Sequence, residues 1–136
     1  MTTPSILFLC VHNAGRSQMA AAFARHFGQD RVVIFSAGSA PGETLNPAVV
    51  AAMDEIGISL ANETPKKLTT QMGLDASVIV TMGCGDVCPV YPGKRYSDWE
   101  LTDPAGKPVE VVRAIRDDIS HRVKTLLGEL GVAVTE

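Results

Sequence analysis

The chain has 136 residues, of which 46% are hydrophobic and 20% charged, and its formal net charge is −3. This length is typical of one domain, so we expect residues 1–136 to form a single domain around one hydrophobic core. The acidic balance does not indicate a nucleic-acid partner. With no apolar run of about 18 residues and no basic segment followed by an apolar core at the start, neither membrane insertion nor secretion is expected. We therefore expect a cytoplasmic protein.

The first strong pattern is an apolar run, Ile6 to Leu9, that delivers Cys10 to a short loop of small residues before a helical pattern begins at Ser17. A loop between a strand and a helix N-terminus leaves backbone N–H groups to bind an anion, beside the positive end of the helix dipole. Gly15 can adopt a positive φ in such a loop. The residues predicted to form the oxyanion site are Val11, His12, Asn13, Ala14, Gly15, Arg16 and Ser17.

Cys10 and Arg16 are the candidate reactive residues of this loop. The planar guanidinium of Arg16, six residues after Cys10, can bind two oxygens of a tetrahedral oxyanion. Ser17 can cap the helix or turn its hydroxyl toward the sulfur. Positive surroundings favour the thiolate, so Cys10 is expected to be a nucleophile at neutral pH. The alternative, a buried inert thiol and a solvated arginine, is disfavoured by the C-x5-R-S spacing between strand and helix.

The segments after this loop predict a helix, a strand and a second helix. The first helix runs from Ser17 to about Phe27, with Gly28 as its stop. The strand Arg31–Gly38 follows, and its Ser36 is expected near the oxyanion loop. Asn46 and Pro47 predict the start of the second helix, as cap and first-turn proline. The later pair Lys66-Lys67 is interpreted as solvated.

The second half of the chain predicts a buried strand at 76–82, a weak helical turn before it at 68–74, and a short fourth strand at 96–99. A long terminal helix begins at about Pro108, with ion pairs expected between Arg113 and Asp117 and between Asp118 and Arg122. Alternation of strands and helices predicts one three-layer α/β domain, with a four-stranded parallel sheet flanked by helices. Ligands of such sheets bind beyond the carboxyl ends of the strands.

The remaining cysteines, Cys84 and Cys88, follow the third predicted strand and are four residues apart. This spacing allows two side chains to meet on one helical turn, and with some adjustment to form a disulfide. Two inert thiols or a metal pair are the alternatives. We predict no metal site because two thiolates without a nearby histidine leave a zinc shell unfilled, and no cofactor is predicted. Three cysteines in a reducing compartment favour reactive thiols.

The segment Cys10 to Ser17 resembles the active-site loop of the low-molecular-weight protein tyrosine phosphatase superfamily. The likeness runs from about Ile6 to Leu130, and the rest of the chain resembles the arsenate reductase branch of the thioredoxin-coupled type. This resemblance implies a low-molecular-weight phosphatase-like fold, arsenate as substrate with sulfate or phosphate as competing oxyanions, and thioredoxin as reductant. It also implies that Asp103 of the Asp-Pro pair is a general acid, and that Asn13 and Ser36 brace the loop.

If all three cysteines take part, the reaction is a relay. Cys10 forms a thiol–arsenate adduct, Cys84 attacks Cys10, and Cys88 attacks Cys84 to leave a disulfide for an external dithiol. Ala105 stands where phosphatases of the superfamily typically place a tyrosine, which favours a small inorganic ion over an aryl phosphate. Ala21 lies where reductase relatives use an acidic residue for a monovalent cation, so no bound potassium is expected.

Three other functions fit the same residues. The first is a low-molecular-weight protein tyrosine phosphatase in which the extra cysteines protect Cys10 from peroxide. The second is a mycothiol-dependent arsenate reductase, which would need only Cys10 and leave Cys84 and Cys88 dispensable. The third is a non-catalytic module that binds oxyanions or senses redox state. From sequence alone, Asp103 could equally cap the terminal helix.

Overall fold

The structure, a computed structural model, describes residues 3–83 and 93–135. The elements in chain order are β1 (Ser5–Cys10), α1 (Arg16–Gly28), a 3-10 turn (Gln29–Arg31), β2 (Val33–Gly38), α2 (Pro47–Asp54), α3 (Thr70–Asp75), β3 (Val78–Thr81), β4 (Arg95–Asp98) and α4 (Val109–Glu129). The four strands of the described part form a parallel sheet, as the sequence predicts, and their order in it is β2-β1-β3-β4. Cys84 and Cys88, the predicted relay cysteines, lie outside the described residues.

The register of the sheet brings the carboxyl ends of its strands to one edge. Cys10, the last residue of β1, pairs with Gly38 of β2. On the other side of β1, Leu9 pairs with Thr81, which in turn pairs with Asp98 of β4. The loops that follow β1, β2 and β3 therefore begin side by side, which is the edge where ligands of parallel sheets bind.

Alternating side chains of β1 build the two cores above and below the sheet. Ile6 and Phe8 point into the larger core, which the apolar faces of α1, α2 and α4 complete. Leu7 and Leu9 point to the other face, where they pack with Ile79 and the side chains around α3. Because both faces of β1 are covered, its run of residues is apolar without alternation, as is typical of a central parallel strand.

The ends of several elements differ from the sequence prediction. β2 begins at Val33 instead of Arg31, because residues 29–31 form a 3-10 turn. Arg31 itself donates to the carbonyl oxygens of Phe27 and Ala133. Helix α1 includes Gly28, and the residue with positive φ that ends it is Gln29, at 52°. The predicted strand at 76–82 is the shorter β3, and the predicted fourth strand is shifted by one residue to β4.

The predicted start of α2 is confirmed, since the side chain of Asn46 accepts a hydrogen bond from Ala48 N–H and Pro47 opens the helix. One ion pair predicted on α4 is also confirmed, between Arg122 and Asp118 at 3.1 Å. The other is wrong. The guanidinium of Arg113 pairs with Glu55 at the end of α2, at 2.6 Å, which joins two helices instead of two turns of one.

Candidate active site

The oxyanion loop, residues 10–16, is anchored from outside by the chain that follows β2. The carbonyl oxygens of Val11 and His12 accept from Ala40 and Gly42, and that of Ala14 accepts from Asn46, each at 2.9 Å. Because the loop carbonyl oxygens accept these hydrogen bonds from the neighbouring segment, they are directed toward that segment. This arrangement suits a loop whose N–H groups are to bind an anion. Gly38 permits the close approach, because a Cβ there would lie 2.6 Å from the carbonyl oxygen of Val11.

The thiol of Cys10 is 3% exposed and has two polar neighbours. The backbone N–H of Asn13 donates to Sγ at 3.3 Å, and Ser17 Oγ lies 2.9 Å from Sγ. The contacts of Asn13 indicate whether Ser17 Oγ or Cys10 Sγ is the donor. Ser17 is the second residue of α1, and no side chain caps this helix, so the Ser17 hydroxyl is available to the sulfur.

A directed chain of hydrogen bonds turns the Ser17 hydroxyl toward the sulfur. The backbone N–H of Lys66 can only donate, and it donates to Asn13 Oδ1 at 2.8 Å. This fixes the amide orientation of Asn13, so that Nδ2 donates to Ser17 Oγ at 2.7 Å. With Asn13 donating to its oxygen, the Ser17 hydroxyl hydrogen is free to point at Cys10 Sγ.

Asn13 is fully buried and has a φ of 51°, in the left-handed region that asparagine tolerates. The Gln18 side chain holds it there, since Nε2 lies 2.9 Å from Asn13 Oδ1, 3.2 Å from Asn13 O and 3.1 Å from Thr64 O. Ser36, which we also expected to brace the loop, does not. It is buried on β2, and its hydroxyl has no hydrogen-bond partner among the residues that the structure describes.

Arg16 lies between the oxyanion loop and the segment of residues 101–107, which we call the acid loop. Its side chain is only 9% exposed. Nη1 donates to the carbonyl oxygen of Leu101 at 3.3 Å, and Nη2 lies 3.7 Å from Asp103 Oδ2. Gly83 gives the guanidinium room, because a Cβ there would meet Nη1 at 2.5 Å. The guanidinium is thus close to Asp103, and Arg16 lines the same cavity as Cys10.

Asp103 carries the predicted general-acid role and lies at the rim of the site. Its side chain is 53% exposed. One oxygen, Oδ1, accepts from Ala105 N–H at 3.0 Å within the acid loop, while Oδ2 faces Arg16. Asp103 does not cap the terminal helix, whose N-cap residue is Pro108. The capping alternative is therefore excluded.

A cavity of about 220 Å³ joins these groups. It is smaller than the 300–1,000 Å³ typical of pockets for drug-sized ligands, and so suits a small ion. Asn13 and Ser17 are buried behind Cys10, and Val11 is half-buried; none of the three lines the cavity. The lining residues are Cys10, His12, Ala14, Gly15, Arg16, Gly42, Asn46, Asp103, Pro104 and Ala105.

No cluster of His, Cys, Asp and Glu side chains within residues 3–83 and 93–135 could hold a metal ion. Within the same ranges, none of the helices combines the length and apolar character needed to cross a membrane.

Sequence reasoning missed four residues of the site. Gln18 braces Asn13 and is itself held by the carbonyl oxygen of Thr64. The backbone N–H of Lys66, a residue interpreted only as a solvated lysine, orients Asn13. Asn46 was predicted as a helix cap, but it also contacts the oxyanion loop and the acid loop. A polar side chain at a buried position of α1 was the one available signal for Gln18, which is 1% exposed.

Comparison with known proteins agrees with this geometry. The family model described as low molecular weight phosphotyrosine protein phosphatase matches residues 5–135. The chain belongs to this family. An arsenate reductase of Shouchella clausii is 36% identical over 134 residues, which cover 91% of this chain and 95% of the relative. Within the family, the chain groups with the arsenate reductases.

Two solved structures extend the likeness to the fold. A thioredoxin-dependent arsenate reductase of Corynebacterium glutamicum has a TM-score of 0.83 and 41% identity over 94% of this chain. This chain spans 62% of the length of that protein. An arsenate reductase in its phosphate binding state also has a TM-score of 0.83, with 30% identity over 93% of this chain and 98% of that one. The predicted phosphatase-like fold is therefore confirmed.

Proposed function

We propose that this chain reduces arsenate to arsenite with Cys10 as nucleophile. The observation that carries the proposal is the shared cavity of Cys10, Arg16 and Asp103, which combines a thiol, a cation and an acid around a space of about 220 Å³. The relatives named arsenate reductases support arsenate as the substrate. The relative in a phosphate binding state supports phosphate, and by its similar shape sulfate, as competing oxyanions.

In the first step the Cys10 thiolate attacks the arsenic atom. A sulfur–arsenic bond forms and an arsenic–oxygen bond breaks, and the departing oxygen leaves as water after taking a proton from Asp103. The guanidinium of Arg16 and the N–H groups of the oxyanion loop bind the remaining oxygens and stabilise their charge. The hydroxyl of Ser17, 2.9 Å from Cys10 Sγ, can donate a hydrogen bond to the attacking sulfur.

In the second step the Cys84 thiolate attacks Cys10 Sγ. A disulfide forms, the electron pair of the sulfur–arsenic bond passes to arsenic, and arsenic is reduced from As(V) to As(III) and leaves as arsenite. Cys88 then attacks Cys84, which releases the Cys10 thiolate and leaves a Cys84–Cys88 disulfide. The dithiol of thioredoxin reduces this disulfide and is itself oxidised. The thioredoxin-dependent relative supports this choice of reductant.

Hydrolysis of a phosphate ester is the second candidate function. The description of the matching family, a phosphotyrosine phosphatase, favours it, and a thiolate beside an arginine can attack phosphorus as well as arsenic. Against it, Ala105 is the residue that follows the Asp-Pro pair at the cavity, where it offers an aryl group no ring to stack on.

One preparation tests both functions. We expect arsenate-dependent oxidation of reduced thioredoxin and weak hydrolysis of an aryl phosphate, with both activities lost in Cys10→Ser. Brisk hydrolysis without arsenate reduction would reverse this order.

The reductant is tested with Cys88→Ser, which should lose thioredoxin-coupled turnover. Retained turnover of that variant with mycothiol would favour the low-molecular-weight thiol instead.

A further inference from the structure

We infer that Asn46 is a positioning residue that holds the acid loop against the oxyanion loop, and so keeps Asp103 directed at the reacting oxyanion. This inference rests on the proposed function, because that function makes Asp103 the proton donor. Asn46 lines the same cavity as Cys10 and Asp103, yet the reaction described above gives it no part.

Three hydrogen bonds connect Asn46 to three parts of the site. Its backbone N–H donates to the carbonyl oxygen of Ala14 in the oxyanion loop at 2.9 Å. Its side-chain Oδ1 accepts from Ala48 N–H at 2.9 Å, which caps α2. Because that N–H can only donate, the amide orientation is fixed, and Nδ2 is left to donate to the carbonyl oxygen of Pro104 at 3.3 Å.

Pro104, the residue next to Asp103, is where the acid loop touches the oxyanion loop. It is buried, and its ring lies so close to Gly15 that a Cβ on Gly15 would be 2.8 Å from Pro104 Cγ. The carbonyl oxygen of Pro104 also accepts from Lys107 N–H at 3.1 Å, which closes the turn after it. The bond from Asn46 therefore fixes both the position of this turn and its orientation.

The other contacts of Asp103 hold it less firmly. The bond from Ala105 N–H is internal to the acid loop and moves with it. Arg16, at 3.7 Å, is also the residue proposed to bind the oxyanion, so Asp103 and the substrate share one guanidinium. The side chain of Asn46 is neutral and donates to a backbone carbonyl oxygen of the acid loop, so this contact does not compete with the oxyanion.

Replacement by serine separates this role from the capping of α2. A serine hydroxyl caps a helix about as well as an asparagine amide, but the serine side chain is too short to reach Pro104. The backbone N–H of the serine would still donate to Ala14. Asn46→Ala loses both the cap and the bond to Pro104. We expect Asn46→Ser to keep the wild-type Tm within about 1 °C, and Asn46→Ala to lower it by about 4 °C.

The decisive experiment is a double-mutant cycle with Asp103→Asn, followed as loss of free thiols after arsenate is added without any reductant. A misplacement of about 1 Å can cost about 100-fold in rate, and for the smaller shift in Asn46→Ser we expect a slowing of about tenfold. Asp103→Asn should be about 100-fold slower. The double variant should be no slower than Asp103→Asn alone, because Asn46 acts through Asp103.

Alkylation of Cys10 by iodoacetamide supplies a readout that needs no proton donor. We expect it to proceed at the wild-type rate in Asn46→Ser. An unchanged arsenate rate, an equal slowing of alkylation, or a further tenfold loss in the Asp103→Asn background would each overturn the inference.

Hydrogen exchange separates a failure of this inference from a failure of the proposed function. The amide of Lys107 should exchange faster in Asn46→Ser than in wild type, and unchanged exchange would contradict the hold on the acid loop. If the wild-type chain loses no thiols to arsenate, the proposed function fails, while the exchange experiment still decides whether Asn46 holds Pro104.

Discussion

The oxyanion loop and the acid loop meet at one cavity but are held in different ways. Behind Cys10, the proposed nucleophile, buried side chains form hydrogen bonds with one another: Asn13 is fully buried and contacts Ser17, Gln18 and the backbone of Lys66. Asp103, the proposed proton donor, is half exposed, and the backbone of its loop is held at Pro104 and Leu101.

This difference separates the consequences of mutation in the two loops. Removing one member of the buried network leaves other polar groups without partners, which costs folding free energy as well as reactivity. Apart from Pro104, residues 102–107 of the acid loop are exposed. Removing a contact there leaves most of the freed groups in water, so stability changes little while the reaction slows. We therefore expect mutations behind Cys10 to lower both stability and reactivity, and mutations around Asp103 to lower mainly the rate.

Arg16 connects the two loops, and its replacement should give the largest effect. Lysine keeps the charge but cannot bind two oxyanion oxygens at once. We expect kcat/KM for arsenate to fall about 100-fold or more in Arg16→Lys, a loss typical of removing one oxyanion donor, with little change in Tm.

The matched control is Arg25→Lys, on the same helix but more exposed and paired with Glu63 outside the cavity. It should stay within about twofold of wild type, the range of a surface ion pair. An Arg16→Lys variant that matched Arg25→Lys would mean that the guanidinium does not bind the reacting oxyanion.

Asn13→Ala tests the buried side of the comparison. Lys66 N–H and Gln18 Nε2 would both lose an acceptor in the interior, so we expect about 2 kcal/mol less stability in urea unfolding. Alkylation of Cys10 at neutral pH should also slow, because the Ser17 hydroxyl would no longer be directed at the sulfur.

Asn13→Gly gives the backbone contribution separately. Since Asn13 has a φ of 51°, alanine adds strain that glycine avoids, and we expect the glycine variant to be about 1 kcal/mol more stable than the alanine variant. A loss below about 0.5 kcal/mol for Asn13→Ala would contradict the buried network.

The smallest effect is expected away from both loops, at Glu55. Its hydrogen bond with Arg113, followed by its attraction to that arginine and to Arg116, outweighs desolvation and lowers the pKa of the carboxyl from 4.5. A lowered folded pKa means that the carboxylate stabilises the fold above the unfolded pKa, and that this stabilisation is lost as pH falls through the folded pKa.

Glu55→Gln should therefore be slightly less stable than wild type near neutral pH, and the difference should disappear as the pH falls below about 4.5. The difference is measured by comparing the midpoints of urea unfolding of the two proteins across this pH range. The arsenate rate at neutral pH should not change, and a rate that followed Glu55 would mean that the α2–α4 contact is coupled to the site.

The sequence predicts the parts of this site that depend on local order. The strand, the C-x5-R-S spacing and the cap at Asn46 are short-range patterns, and the structure has them in place. The parallel sheet follows from the apolar run of β1, which is buried on both faces.

The parts that the sequence does not predict depend on contacts between distant residues. Lys66 orients Asn13 through a backbone N–H, a group that every residue except proline possesses, so its side chain carries no signal. Arg113 prefers Glu55, which lies 58 positions away, to the Asp117 expected from helical spacing. Ser36 lies on β2 opposite Phe8, and its hydroxyl makes no hydrogen bond to Asn13.

The most direct test of the proposed reaction is to map disulfides by mass spectrometry after one arsenate turnover without reductant. We predict a Cys84–Cys88 disulfide in the wild-type chain and a trapped Cys10–Cys84 disulfide in Cys88→Ser, with one arsenite released per disulfide in both. Arsenite release with all three thiols still free, or a stable adduct on Cys10 and no disulfide, would contradict the relay.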